Sequence, residues 1–357
     1  MHMVNQQTLA DQLGLSRATV SRCFTNHRAI NPATRARVFD LAAQLGYRYM
    51  ELRTPVARKA KGTAIGVLVC YAGTFRPNDR FENPGQNLLD GVSELAQLRN
   101  VHLDVHYVDP SEQSLLSPSY QKISALRRGR WRGALLIYSF PEKVVDSLSL
   151  RFPCVSLVEQ YGRADLNCVD VDHYRGVSKI INLLTDLGHR RIGFFSTHLA
   201  LDTQWAMHRF SAYFEKLFAS GLDYNPDDVV NVARPAISEE EAQSRMHART
   251  KDGVTAWVCA ADYSAYSAIN YLTAQGMKIP VEVSVTGFDG IKPPTGSPAA
   301  TTLDVPFREI GMTGARRLLD LIKTPFDPPQ HILLDCKVRH GQTVGAAPPA
   351  KRRTRAA

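Results

Sequence analysis

In the stretch Ser16-Arg17-Ala18-Thr19-Val20-Ser21-Arg22, two guanidinium groups lie five residues apart. A guanidinium can donate two parallel hydrogen bonds to guanine O6 and N7, a contact worth about 1–3 kcal/mol of discrimination against a wrong base. On a helix whose Leu15 and Val20 pack inward, Arg17, Ala18, Ser21 and Arg22 face outward, which makes Arg17 and Arg22 the expected base readers. Ala18 offers only a methyl group, suited to a thymine methyl or to tolerance at that position. Ser16, Ser21, Thr34, Arg35 and the helix N-termini suit phosphates, which set register without reading sequence.

Three short helices must position these groups. Asn5 can cap a helix running to Leu13, with Leu9, Ala10 and Leu13 on one face and Gly14 just past its end. Ser16 caps a second, Arg17 to about Phe24, only two residues after that glycine. Asn31 caps a third with Pro32 at its first position, and Val38, Leu41, Ala42 and Leu45 recur at core spacing before Gly46. The pattern predicts an all-α helix-turn-helix head over residues 1–49 that enters the major groove of duplex DNA. A three-helix protein-binding module with solvated arginines is the alternative. Charge argues against it: residues 1–61 carry ten Lys or Arg against Asp11, Asp40 and Glu51, and Lys351, Arg352, Arg353 and Arg355 close the chain, so the +9 total leaves the middle slightly acidic. A basic head on a near-neutral body suits a polyanion-binding module joined to a module for a small molecule or protein.

From Thr63 onward apolar runs alternate with helical periodicity. The runs are Ala64–Cys70, Val101–Val108, Gly133–Tyr138, Cys154–Val158, Val169–Val171, Ile192–Phe195, Val229–Val232, Val254–Cys259 and Val283–Phe288. Buried parallel strands read as continuous apolar runs joined by helical crossovers, so this is an α/β doubly wound body, and some 280 residues suit two sheets rather than one. No G-x-G-x-x-G or P-loop text occurs in it. The six cysteines are scattered and read as small buried hydrophobes. No run approaches 18 apolar residues and the start lacks the regions of a signal peptide, so a cytoplasmic chain with no membrane partner is expected.

The text LADQLGLSRATVSRCFTNHRAINPATRARVFDLAAQLGY resembles the lactose/galactose repressor (LacI/GalR) family. The resemblance continues through Asp172 with Gly176, Leu187-Gly188-His189-Arg190-Arg191, Arg209, Ala260-Ala261-Asp262, Val285-Thr286-Gly287-Phe288-Asp289 and Glu309-Ile310-Gly311. It implies a two-lobed body over 63–343, similar to periplasmic sugar-binding proteins, with an effector between the lobes. It also implies a homodimer on near-palindromic operator DNA, with no cofactor and no catalysis. The family's hinge segment R-P-N-x-x-A-R-x-L is replaced here, and counting without gaps puts Val56 at the minor-groove wedge position. Two readings of the linker 50–62 stay open: a short hinge helix starting at Pro55, or a flexible basic linker touching phosphates, which is preferred. Helix 90–98 is the expected dimer surface, and residues 344–357 are expected to be a disordered basic tail.

Ligands of open α/β sheets sit at the carboxyl ends of strands. Asp289 closes one strand, Asp262 follows another, and the resemblance assigns effector hydroxyls to Arg209 and Asp289. A guanidinium and a carboxylate can bracket a polyol while aromatic faces cover the apolar side of a sugar ring. Tyr71, Trp205 and Tyr138 are the aromatic candidates, and Glu159 the acid on the crossover. Ala261, Val305 and Gly290 stand where family members often carry polar groups, so the site is expected to be less polar than the lactose repressor's. His189 is read as structural. The expected function is an effector-controlled transcriptional regulator of repressor type. The rival is a small-molecule-binding protein or enzyme that uses the same sheets without an operator, against which no nucleophile, base and orienting-group set is found.

Overall fold

The computed structural model describes residues 4–24, 27, 29–45, 47, 63–71, 84–198 and 203–349. The expected linker 50–62, with Val56, lies outside these residues. The head consists of α1 (Gln6–Leu13), α2 (Arg17–Phe24) and α3 (Pro32–Gln44). Asn5 Oδ1 accepts from the amides of Gln7 and Thr8 in a capping box, and Gly14 ends α1 at φ +63°. Ser16 Oγ accepts from the Thr19 amide and Asn31 Oδ1 from that of Ala33, so each cap falls where the sequence puts it. Leu9, Ala10, Val20, Cys23, Val38 and Ala42 form the head's core, whereas Leu15 is only half-buried.

The chain divides into two compact units. The first takes the described residues up to Asp170, the head included, together with Phe307–Leu334. Its strands are β1 (Ala64–Cys70), β2 (His102–Val108), β3 (Ala134–Ile137), β4 (Cys154–Leu157) and β5 (Asn167–Val171). A late strand, His331–Leu334, joins them as β11 in the order β11-β5-β4-β3-β1-β2. Pairs from β2 through β5 are parallel, with Ala64 beside His102 and Gly66 beside Ala134. Between β1 and β5 this unit carries the helices α4 (Pro84–Arg99), α5 (Pro118–Gln121), α6 (Ser124–Arg127) and α7 (Glu142–Ser149). The head packs on this unit through α3: buried Asp40 accepts from Tyr107 Oη, Gln86 Nε2 and Gln44 Nε2. Cys23, Phe24 and Phe39 share one narrow crevice with Val101, His102 and Leu103 at the start of β2.

The second unit takes Val171–Pro306 and the described residues from Asp335. Its parallel sheet, ordered β7-β6-β8-β9, comprises β6 (Ile192–Phe195), β7 (Val229–Val230), β8 (Ala256–Cys259) and β9 (Ser284–Thr286). It carries α8 (His173–Asp186), α9 (Gln204–Ala219), α10 (Glu239–Lys251) and α11 (Asp262–Ala274), and an antiparallel pair, β10 (Thr302–Asp304) with β12 (Lys337–Arg339). Trp257 fills its centre and donates from Nε1 to Thr250 Oγ1. Eight of the nine apolar runs contain a strand, two of them matching end to end, and the ninth, Val169–Val171, lies within β5. The three strands not anticipated, β10 to β12, are three or four residues long and mix polar with apolar side chains. Their apolar stretches are at most three residues long, the longest being Ile332-Leu333-Leu334 in β11.

Two expectations need correction. Helix 90–98 is mostly turned into its own unit: Gly91 and Val92 are buried and only Leu98 is fully exposed, because α4 packs on α12 (Phe307–Lys323). A Cβ on Gly91 would stand 1.8 Å from the Arg308 carbonyl oxygen, and one on Gly311 2.1 Å from that of Leu88, so the helices touch backbone to backbone. The tail does not begin at 344. Gly345 donates to Ser284 Oγ and Ala347 to the Leu187 carbonyl, which holds the chain to the second unit; residues 350–357 lie outside the described set. Gly91→Ala should force α4 and α12 apart and destabilise the chain by about 1–3 kcal/mol, read as a lower urea midpoint.

Candidate nucleic-acid interface and effector site

On α2, Arg17, Ala18 and Arg22 are exposed on the outward face, with Ser21 half-buried beside them and Val20 buried behind. Ser16 is exposed, but its hydroxyl already caps α2 and contacts Thr19 Oγ1 at 2.9 Å. Thr34 is half-buried. Arg35 departs from the expectation of a phosphate contact. It is 1% exposed, and its Nη2 donates to the His27 carbonyl at 2.9 Å, tying the turn before α3 to the helix. A charge count could not distinguish this inward arginine from the outward ones, because its aliphatic stem belongs to the α3 face that also carries Val38 and Phe39.

In the second unit, the carboxyl ends of β6, β8 and β9 gather a polar cluster around Arg209, which projects from α9 and is buried. Its Nη1 donates to the Ala260 carbonyl at 2.6 Å, Nη2 to Asp289 Oδ1 at 3.0 Å and Nε to His173 Nδ1 at 3.3 Å. The guanidinium lies 3.7 Å from the Phe288 ring centroid and 4.7 Å from that of Trp205, so aromatic faces replace water around the charge. Trp205 in turn meets Tyr263 edge-on, with centroids 6.4 Å apart. Asp289 adopts φ +128°, a conformation side chains rarely occupy, and burial raises its pKa against the pull of Arg209.

Asp262 sits differently from its expected role. It is fully buried: Oδ1 accepts from Thr302 Oγ1 at 2.5 Å and Oδ2 from the Ile291 amide at 2.8 Å, while its own amide donates to the Phe288 carbonyl. The carboxylate thereby braces the loop that presents Asp289. Burial, reinforced by the negative charge of Asp289, pushes its pKa up to about 7. His189 is buried between Thr255 Oγ1, Ser284 Oγ and the Gly345 carbonyl, a structural position.

In the first unit, Tyr71 and Tyr138 follow β1 and β3 with ring centroids 6.4 Å apart, and Tyr71 is exposed. Glu159, just past β4, is buried, accepts from Ser139 Oγ and has its pKa raised to about 7 by burial. The structure thus brings Trp205, Arg209 and Asp289 together in one unit and Tyr71 and Tyr138 together in the other. Sequence reasoning missed His173, Tyr263, Phe288 and the Ala260 carbonyl. Tyr263 and Phe288 adjoin singled-out acids, Ala260 lies two residues before Asp262, and His173 follows the cap Asp172. Among the described residues no group of three or more His, Cys, Asp or Glu could hold a metal ion, and no helix is long and apolar enough to cross a membrane.

Comparison with known proteins identifies the class these features define. Residues 7–49 match the model for bacterial regulatory proteins of the lacI family, and residues 181–344 match a periplasmic binding protein-like domain. The chain is 27% identical to the HTH-type transcriptional regulator AglR of Rhizobium meliloti (strain 1021), covering 97% of this chain and 95% of that protein. It is 25% identical to the HTH-type transcriptional repressor CytR of Escherichia coli (strain K12), over 91% of each. Its fold matches the lac repressor dimer bound to operator and the anti-inducer ONPF with a TM-score of 0.65 at 20% identity, covering 97% and 100% of the two chains. It also matches a complex of the transcriptional regulator CelR with cellobiose, with a TM-score of 0.62 at 23% identity over 95% and 99%. The chain thus carries a lacI-family helix-turn-helix domain and a periplasmic binding protein-like domain, and the relatives it matches are named as HTH-type transcriptional regulators.

Because Asp262 has a folded-state pKa above its ordinary 3.8, the folded chain binds the extra proton between about pH 3.8 and 7, and its contribution to stability falls as pH rises through that window. In urea unfolding at stepped pH, Asp262→Asn should show a flatter decline than the wild type between pH 4 and 7. An unchanged slope would show that Asp262 does not titrate there.

Proposed function

We propose that this chain is a cytoplasmic, homodimeric transcriptional repressor that binds near-palindromic operator DNA and changes operator affinity when a carbohydrate occupies the Arg209–Asp289 site. In this reading residues 1–49 bind DNA, 50–62 link and 63–343 sense the effector. The observation that carries it is the buried Arg209–Asp289 pair at the strand ends, flanked by the Trp205 ring. Asp289 keeps one oxygen besides the one bonded to Arg209, and a carboxylate so placed accepts from sugar hydroxyls while the indole face covers the ring's apolar side. Proteins of the same fold support the ligand class: CelR was solved with cellobiose, and the LacI family regulator CCPA of Weissella paramesenteroides with sucrose and with glucose.

In the head, exposed Arg17 and Arg22 read bases, Ala18 and Ser21 lie against the groove wall, and Ser16 and Thr34 lie near phosphates. An effector acts by binding one conformational state better than another, so loss of its binding residues removes the response without removing operator recognition. A thermal-shift screen of sugars should find a ligand that stabilises the wild type by about 2.7 kcal/mol at a hundredfold excess over Kd. Arg209→Ala should lose that shift yet still select the operator. Arg22→Ala should keep the shift and lose about 1–3 kcal/mol of discrimination at one base pair per half-site, measured by competition binding. A sugar shift that survives Arg209→Ala would place the effector elsewhere.

A further inference from the structure

Within the first unit, the connection from α6 into β3 reads Leu126-Arg127-Arg128-Gly129-Arg130-Trp131-Arg132-Gly133. Leu126 and Trp131 are buried anchors, whereas Arg127, Arg128, Arg130 and Arg132 are all exposed. The backbone between them is fixed: the Arg130 amide donates to the Ala125 carbonyl at 2.9 Å and that of Gly129 to Leu126 at 3.2 Å. Arg163, Arg191, Arg249 and Arg308 each hold a carboxylate. Among the described residues, none of the four arginines in this loop does. The nearby Asp104 carboxylate is already taken by Trp131 Nε1 and His106 Nε2. Four unneutralised guanidinium groups in six residues, on a body whose net charge is slightly negative, mark a surface built for a polyanion.

Its place in the fold says which polyanion. The Arg132 amide donates to the Ala64 carbonyl, and the His102 amide to that of Thr63, so the starts of β3, β1 and β2 lie side by side on one sheet edge. The chain arrives from the head at Thr63, and the head itself packs over Val101, His102 and Leu103. With strands about 4.8 Å apart, the arginine loop begins roughly 10 Å along that edge from the head's contact. We infer that Arg127, Arg128, Arg130 and Arg132 form a second DNA contact on the body, gripping backbone phosphates of the duplex whose bases the head reads. The inference rests on the regulator reading above. Guanidinium groups on phosphate oxygens fix position and add affinity without selecting sequence.

Operator binding by the full-length chain, titrated with salt, tests this. Each phosphate neutralised contributes about 0.9 to the slope of log affinity against log salt, so Arg130→Gln/Arg132→Gln, which removes four charges from the homodimer, should lower the slope by about 3.6. The affinity lost between about 50 and 200 mM salt should then shrink by about a hundredfold. The ratio of operator to scrambled-duplex affinity and the thermal unfolding midpoint should stay at wild-type values. Lys251→Gln/Lys278→Gln, which removes two exposed charges from the second unit, should leave the slope unchanged. Equal slopes for Arg130→Gln/Arg132→Gln and wild type, in a wild type that selects its operator, overturn this contact alone. A wild type that binds no duplex overturns the regulator reading and the contact with it.

Discussion

Parallel strands all begin at one edge of a sheet and end at the other, and this polarity sorts the chemistry of the first unit. The starting edge carries Thr63, His102 and Arg132, where the head packs and the linker arrives. The finishing edge carries Tyr71 and Tyr138 directly after β1 and β3, and Glu159 two residues after β4. A seven-residue strand such as β1 spans about 23 Å, so groups suited to a polyanion and groups suited to a small ligand are held apart by the backbone itself. The second unit repeats the rule: Asp262 and Asp289 follow the ends of β8 and β9, and Arg209 reaches the same ends from α9. At three strand ends the chain turns through a residue with positive φ, namely Tyr138, Val158 and Asp289. Conformations of this kind cost about 1–3 kcal/mol each and persist where the surroundings over-determine them.

Around Arg209 the surroundings do so. A buried guanidinium needs acceptors for its donors and a substitute for its hydration. Ala260, His173 and Asp289 supply the acceptors from three different segments, while Phe288 and Trp205 cover the faces. Satisfying this one side chain therefore fixes α8, α9 and the loops after β8 and β9 relative to one another. Asp262 works from behind, since its bonds to Thr302 and the Ile291 amide hold the turn on which Asp289 stands. It positions a binding group and leaves itself no free oxygen facing solvent.

Much of this was legible in the sequence, and the failures have physical causes. Caps are local, so Asn5, Gly14, Ser16 and Asn31 announced the head's helices almost to the residue. Fully buried strands announced themselves by unbroken apolar runs. β10, β11 and β12 stayed hidden because their pairing is set by distant segments rather than by their own composition. Arg35 and Asp262 were misassigned for a related reason: residue type tells what a side chain can bind, and only tertiary burial tells whether protein or ligand takes that capacity. Helix 90–98 misled because nothing in its own residues shows that the missing side chain of Gly91 admits the chain's own α12.

The head is joined to the first unit by more than chain connectivity. Asp40, on α3, is buried with its pKa raised by desolvation even though Tyr107, Gln86 and Gln44 donate to it. Two of those donors belong to the body, on β2 and α4. A buried carboxylate that finds its donors in only one arrangement favours that arrangement strongly, because any shift leaves polar groups unpaired in a medium of low dielectric. The outward face of α2 with Arg17 and Arg22 is therefore oriented by the same sheet edge that carries the arginine loop. Whatever moves that edge moves both together, and so acts on base reading and phosphate contact as one body.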